Sequence, residues 1–119
     1  QSVWNNTAVL CVSEFGRTIE VNGEDARGTE HGRGTVALLA GGTLRGKFVG
    51  TPANLRKDFN GDQNDPLMYG RHDVTPFLDL RSLFKSALYQ HLGLPTTHDE
   101  FFFPNSATAP PLANVFRPA

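Results

Sequence analysis

Ala8-Val9-Leu10-Cys11-Val12-Ser13-Glu14-Phe15-Gly16-Arg17-Thr18 begins as an unbroken apolar run and then turns abruptly to charge. A short apolar run without alternation reads as a strand buried on both faces, the pattern of a parallel sheet. Ser13, Glu14 and Arg17 fall where that strand must end, with Gly16 loosening the backbone between them. Open α/β sheets collect their ligands outside the carboxyl ends of their strands, so this strand end is the first place to look for chemistry. Glu30-His31 follows thirteen residues after Arg17, among Gly28, Gly32 and Gly34.

On the amino-terminal side, Gln1 to Thr7 is polar, and Asn5-Asn6 reads as a turn before the strand. On the other side, Thr18 to Thr29 reads as a loop, with Asn22-Gly23 as a strong turn dipeptide. Nine of the twelve glycines lie between Gly16 and Gly50. That half of the chain is therefore expected to consist of turns and close backbone approaches. Thr35 to Ala40 is a second buried-strand candidate stopped by Gly41-Gly42. Leu44 to Val49 is a third, which would close a glycine-rich hairpin across the double glycine. Pro52 to Arg71 has no periodicity and reads as surface loop. Its Asp58, Asp62 and Asp65 lack the ligand order of an EF-hand loop.

The clearest helix runs from Leu80 to Leu92. Leu80, Leu83, Phe84, Ala87, Leu88 and Leu92 recur at helical spacing and form one apolar stripe, expected to pack on the sheet. Asp79 is placed to cap its start, Gly93 to end it, and Pro95 to prevent its continuation. From His98 onward the chain is proline-rich and irregular, and Phe101-Phe102-Phe103 calls for a cover.

At 119 residues with a formal net charge of -1, the chain is at most one domain and carries no excess of Lys and Arg. This argues against nucleic-acid or anionic-membrane partners, which bind through such an excess. The single cysteine, Cys11, has no partner for an internal disulfide and reads as a small core residue. No apolar stretch is long enough to span a bilayer, and no signal peptide is present. The chain opens on Gln1 rather than Met, which reads as a piece of a longer protein.

Two constellations carry chemistry. Glu14 offers a carboxylate for a hard metal or for base work, and Arg17 a two-pronged donor for phosphate, sulfate or carboxylate. The plainer alternative is that the two pair with each other. His31, beside Glu30 and between glycines, is either a metal-ligating imidazole or an ordinary loop histidine. His72, His91 and His98 read as surface residues, and Arg45 with Lys47 as the wet face of a strand. Gly32-x-Gly34 is not a phosphate loop, because it lacks the Gly-Lys-Ser/Thr ending.

Taken together, Val12-Ser13-Glu14-Phe15-Gly16-Arg17-Thr18, Asn22-Gly23 and Gly28-Thr29-Glu30-His31-Gly32 resemble the signature of a large bacterial family, "domain of unknown function 1501". Gly41-Gly42, Gly46 and the helix ending Leu92-Gly93 also fit it, so the resemblance covers about Ala8 to Gly93. It implies an alkaline-phosphatase- and sulfatase-like α/β/α sandwich. Residues 1–119 would then be the carboxyl-terminal part of a single larger α/β domain, with the nucleophile upstream. The implied protein is periplasmic or secreted, and it hydrolyses a phosphate or sulfate ester, small or polymer-linked, with a divalent ion such as zinc, calcium or magnesium. The resemblance assigns Arg17 to hold the anion, Glu14 and His31 to ligate the metal, and Ser13, Glu30 and Asn22 to support them. There are two departures. Glu30 stands where the family carries Asp, and Glu14-Phe15 stands where phosphatases carry Asp-His. Phenylalanine binds no metal, which favours the rival expectation of a non-catalytic exported protein that keeps the fold and holds a sugar or anionic polymer.

Overall fold

A computed structural model describes residues 2–18, 21, 28–46, 49, 68–69, 73–74 and 76–117. The architecture is mixed α/β, with short strands in two-stranded sheets and two α-helices among the described residues. The chain divides into two compact units. One comprises Gln1–Leu10, Leu39–Val49 and Leu78–Ala119; the other comprises Cys11–Leu38 and Gly50–Phe77.

Strand β1 (Val9–Cys11) pairs with β4 (Leu38–Ala40). This corrects the expected hairpin across Gly41-Gly42, because the described partner of Leu38–Ala40 precedes it in sequence. Leu44 instead forms an isolated antiparallel bridge with Phe116. The expected double burial of the apolar run is also absent. Val9 is 49% exposed, Leu38 66%, and Cys11 lies at the surface rather than in the core. An apolar run reports which residues favour a pleated, half-buried surface. Burial itself needs a layer on each face, which a two-stranded sheet does not provide.

In the first unit, Val3–Asn6 makes a 3-10 turn capped by the Ser2 hydroxyl. The Gly42 N–H donates to the Trp4 carbonyl (3.0 Å). Gly41 sits at φ 143°, and a Cβ there would stand 2.0 Å from the Thr7 carbonyl oxygen, so only glycine fits. Helix α1 (Leu80–Ser86) starts where expected: the Asp79 carboxylate accepts the Arg81 backbone N–H (2.9 Å). The Arg81 guanidinium also donates to Asp79 (2.6 Å), and these bonds hold the Asp79 carboxyl below its ordinary value. The helix then widens into a π-turn over Ala87–His91 before Gly93 ends it at φ 67°. The Leu94 N–H reaches back to the Leu88 carbonyl, spanning the extra residue of the π-turn (3.0 Å).

The buried face of α1 differs from the expected stripe. Leu83 is buried, but Phe84, Ala87 and Leu88 are only half-buried and Leu92 is exposed. The most deeply buried residues are Ser82, Lys85 (2% exposed) and Ser86 (0%). The cause is what lies against the helix: the irregular segment 99–117, which brings backbone groups to satisfy along with its few apolar side chains. The Lys85 ammonium donates to Asp99 (2.6 Å) and to the Ser106 carbonyl (3.0 Å). The Tyr89 hydroxyl donates to the other Asp99 oxygen. Ser86 Oγ accepts the Leu112 N–H (2.7 Å), while the Gln90 amide donates to the Leu112 carbonyl and accepts from the Phe116 N–H. The segment then runs beside Thr43–Arg45, with the Arg45 N–H on the Val115 carbonyl and the Arg117 N–H on the Thr43 carbonyl. Buried Ala109, Val115 and Phe116 complete the core with Leu83. Within 99–117, the short helix α2 (Asp99–Phe102) leaves Phe101 83% exposed.

The second unit is built on β2 (Gly16–Arg17) against β3 (His31–Gly32), with β5 (Met68–Tyr69) antiparallel to β6 (Asp73–Val74). Asp58, Asp62, Asp65 and His72 lie outside the described residues, as does most of the 52–71 stretch read as loop.

Candidate functional site

The antiparallel register sets Gly16 opposite Gly32 and Arg17 opposite His31. Directly opposed residues project to the same face of a ladder, and so does a residue two positions away on one strand. Phe15, Arg17 and His31 therefore gather on one side. The Phe15 and His31 rings stack with centroids 4.1 Å apart and planes 28° from parallel. The Arg17 guanidinium carbon lies 5.8 Å from the Phe15 ring centroid, and Arg17 Nη1 donates to the Thr29 carbonyl (2.8 Å). Stacking covers one face of the imidazole, whereas its nitrogens bond in the ring plane, so the stack itself does not block them.

Glycine sets how closely this ladder is approached. A Cβ on Gly16 would stand 1.7 Å from the Gly34 carbonyl oxygen, and one on Gly34 would stand 2.6 Å from the Val74 carbonyl oxygen. Beyond Arg17 the pairing continues. The Thr18 N–H donates to the Glu30 carbonyl, and the Glu30 N–H donates to the Thr18 hydroxyl (3.1 Å each). Ser13 Oγ donates to the Phe15 carbonyl (3.0 Å) and lies 2.7 Å from the Thr35 hydroxyl. Both oxygens of Asp73 accept the Arg33 N–H (2.8 Å each) just past β3.

Of the residues singled out by sequence, Arg17 and His31 are brought face to face. Ser13 braces the bend before β2, and Glu30 contributes its backbone to the ladder. Glu14 occupies that exposed bend, and the ring resting on His31 belongs to the next residue, Phe15. Asn22 lies outside the described residues. Among the described residues, no group of three or more His, Cys, Asp and Glu side chains is close enough together to hold a metal. A zinc centre takes at least three such donors, so His31 and Glu14 do not by themselves make one.

Sequence reasoning missed Phe15 as a contributor, although its two-residue offset from Arg17 signals a shared face. It also missed Thr29, Thr35 and Asp73. Asp73 enters from 40 residues beyond Arg33, and no local pattern announces it.

The family described as "Protein of unknown function (DUF1501)" matches residues 1–99. No curated protein and no solved structure matches the chain. No helix among the described residues is long and apolar enough to cross a membrane.

Proposed function

The chain belongs to the DUF1501 family, and on that premise we propose that its β2–β3 ladder holds the anion in an exported phosphate or sulfate ester hydrolase with the alkaline-phosphatase-like sandwich. The register that opposes Arg17 to His31 carries this reading. A guanidinium presents paired donors matched to the oxygens of a phosphate or sulfate. The bond to Thr29 and the contact with Phe15 hold that guanidinium in place, and pre-set donors lose little on meeting a developing charge. In this reading His31 offers an imidazole nitrogen to a divalent ion, with Glu14, the residue before Phe15, as a second ligand. The remaining donors come from outside the described residues.

One observation favours a second reading. Phe15 stands where a phosphatase would place a metal-binding histidine, and its ring packs on His31. An aromatic plate beside a guanidinium suits a non-catalytic protein that holds a sugar or an anionic polymer. Titrating the full chain with zinc, calcium and magnesium, and separately with phosphate and sulfate, separates the two. Under the hydrolase reading, His31→Ala weakens metal binding about tenfold or more and Arg17→Ala weakens the anions. Anion binding that depends on Arg17, with equal metal affinity in wild type and His31→Ala, leaves the binding protein. Anion binding indifferent to Arg17 overturns both.

A further inference from the structure

In the unit that contains α1, Arg45, Tyr89, Gln90, Gly93, Asn114 and Phe116 line an open cleft of about 530 Å³. That volume falls in the range of small-molecule sites, roughly 300–1,000 Å³. Three backbone irregularities meet at its wall: the π-turn that carries Tyr89 and Gln90, Asn114 at φ 59°, and Gly93 at φ 67°. π-turns and left-handed non-glycine residues are uncommon and concentrate at functional sites.

The chemistry of the lining is one-sided. The Tyr89 hydroxyl is committed to Asp99, and both ends of the Gln90 amide are committed to Leu112 and Phe116. These residues therefore offer the cleft a ring and an aliphatic stem rather than polar atoms. Phe116, 2% exposed and stacked on His91 at 5.9 Å, backs the cleft from within the core. Arg45 is the single charged residue of the lining among the described residues. Its backbone is fixed by the bond to the Val115 carbonyl while its side chain is exposed. Among the described residues, no carboxylate lines the cleft. The closest one in the bonding network, Asp99, is already held by Lys85.

We infer that this cleft binds a small organic acid, a carboxylate on a flat apolar body. The carboxylate meets the Arg45 fork and the body lies against the Tyr89 ring and the Gln90 stem. This site is independent of the β2–β3 ladder and stands or falls separately from it.

The test is an NMR titration of the full chain with benzoate, and in parallel with benzyl alcohol and with sulfate. Benzoate is expected to shift the backbone amides of Arg45, Gly93 and Asn114, and to bind more tightly than either control. Arg45→Gln should weaken it about tenfold or more, and Arg45→Lys, which keeps the charge but loses the fork, by less. Because the Arg45 side chain is exposed, both variants keep the fold. The inference is overturned if benzoate shifts none of these amides, if benzyl alcohol or sulfate binds as well, or if Arg45→Gln binds benzoate unchanged.

Discussion

Around the β2–β3 ladder, main chain meets main chain at distances that only glycine permits. Around α1, side chains of the helix reach across to satisfy the backbone of an irregular segment. The first arrangement leaves its charged and aromatic side chains outside, with Phe15, Arg17 and His31 on one exposed face. The second draws polar side chains inward, to the point that Lys85 and Ser86 are among the most deeply buried residues of the chain. Chemistry is thus displayed where glycine does the packing, and consumed where polar side chains do. This is why the exposed ladder is the candidate site and the buried Lys85–Asp99–Tyr89 network is structural.

The sharpest way to break this contrast is Gly16→Ala. Its methyl group would stand 1.7 Å from the Gly34 carbonyl oxygen, and its nearest neighbours are all backbone atoms of Gly34 and Thr35, with no flexible side chain to give way. A loss of more than about 3 kcal/mol is expected, read by denaturant unfolding and by loss of protection at the Thr18 amide. A cost below about 1 kcal/mol would mean that the ladder is not glycine-limited.

Ser86→Ala tests the other side of the comparison. It removes the oxygen that accepts the Leu112 N–H and leaves that part-buried donor unpaired beside a side chain with no exposure. The expected cost is about 1–3 kcal/mol, with faster proteolysis of the 99–117 segment. If only helix content fell and the segment stayed protected, the clamp would not be polar.

The pH profile gives a smaller effect. Hydrogen bonds, first from Lys85 and then from Tyr89, hold the Asp99 carboxyl below its ordinary value. Its contribution to stability is therefore complete above the ordinary carboxylate range and is lost as pH falls through its lowered value. Asp99→Asn should flatten the acid limb of the stability curve. Burial, with help from Asp99, pushes the Tyr89 hydroxyl up to about 12. The stability it contributes is complete below its ordinary value of 10.0 and is lost as pH rises toward 12. Tyr89→Phe should remove that alkaline limb, whereas the same variants leave the ladder's own exchange rates unchanged.

The smallest effect expected is at Cys11, which is exposed. Cys11→Ser should change stability by less than about 0.5 kcal/mol, and the thiol should react with a water-soluble reagent in the folded protein. A protected thiol would restore the buried-strand expectation.

Several features were legible from residue order alone. The family signature from Val12 to Thr18 and from Gly28 to Gly32, the Asp79 cap, the Gly93 stop and the strand near Val9 all depend on local spacing, which determines local geometry. Arg17 and His31 stood out for their residue types. The structure alone decided that they face each other, because register depends on which strands pair. The same limit explains the helix: its period marked an apolar stripe, but the segment that came to lie on α1 needed hydrogen-bond partners, and Ser82, Lys85 and Ser86 supplied them. Asp73 at β3, Phe116 beside Leu44 and the unexpected exposure of Val9 and Leu38 belong with these. A sequence determines which conformations each stretch favours, but burial and pairing are set by what arrives from elsewhere in the chain, and that only the tertiary structure decides.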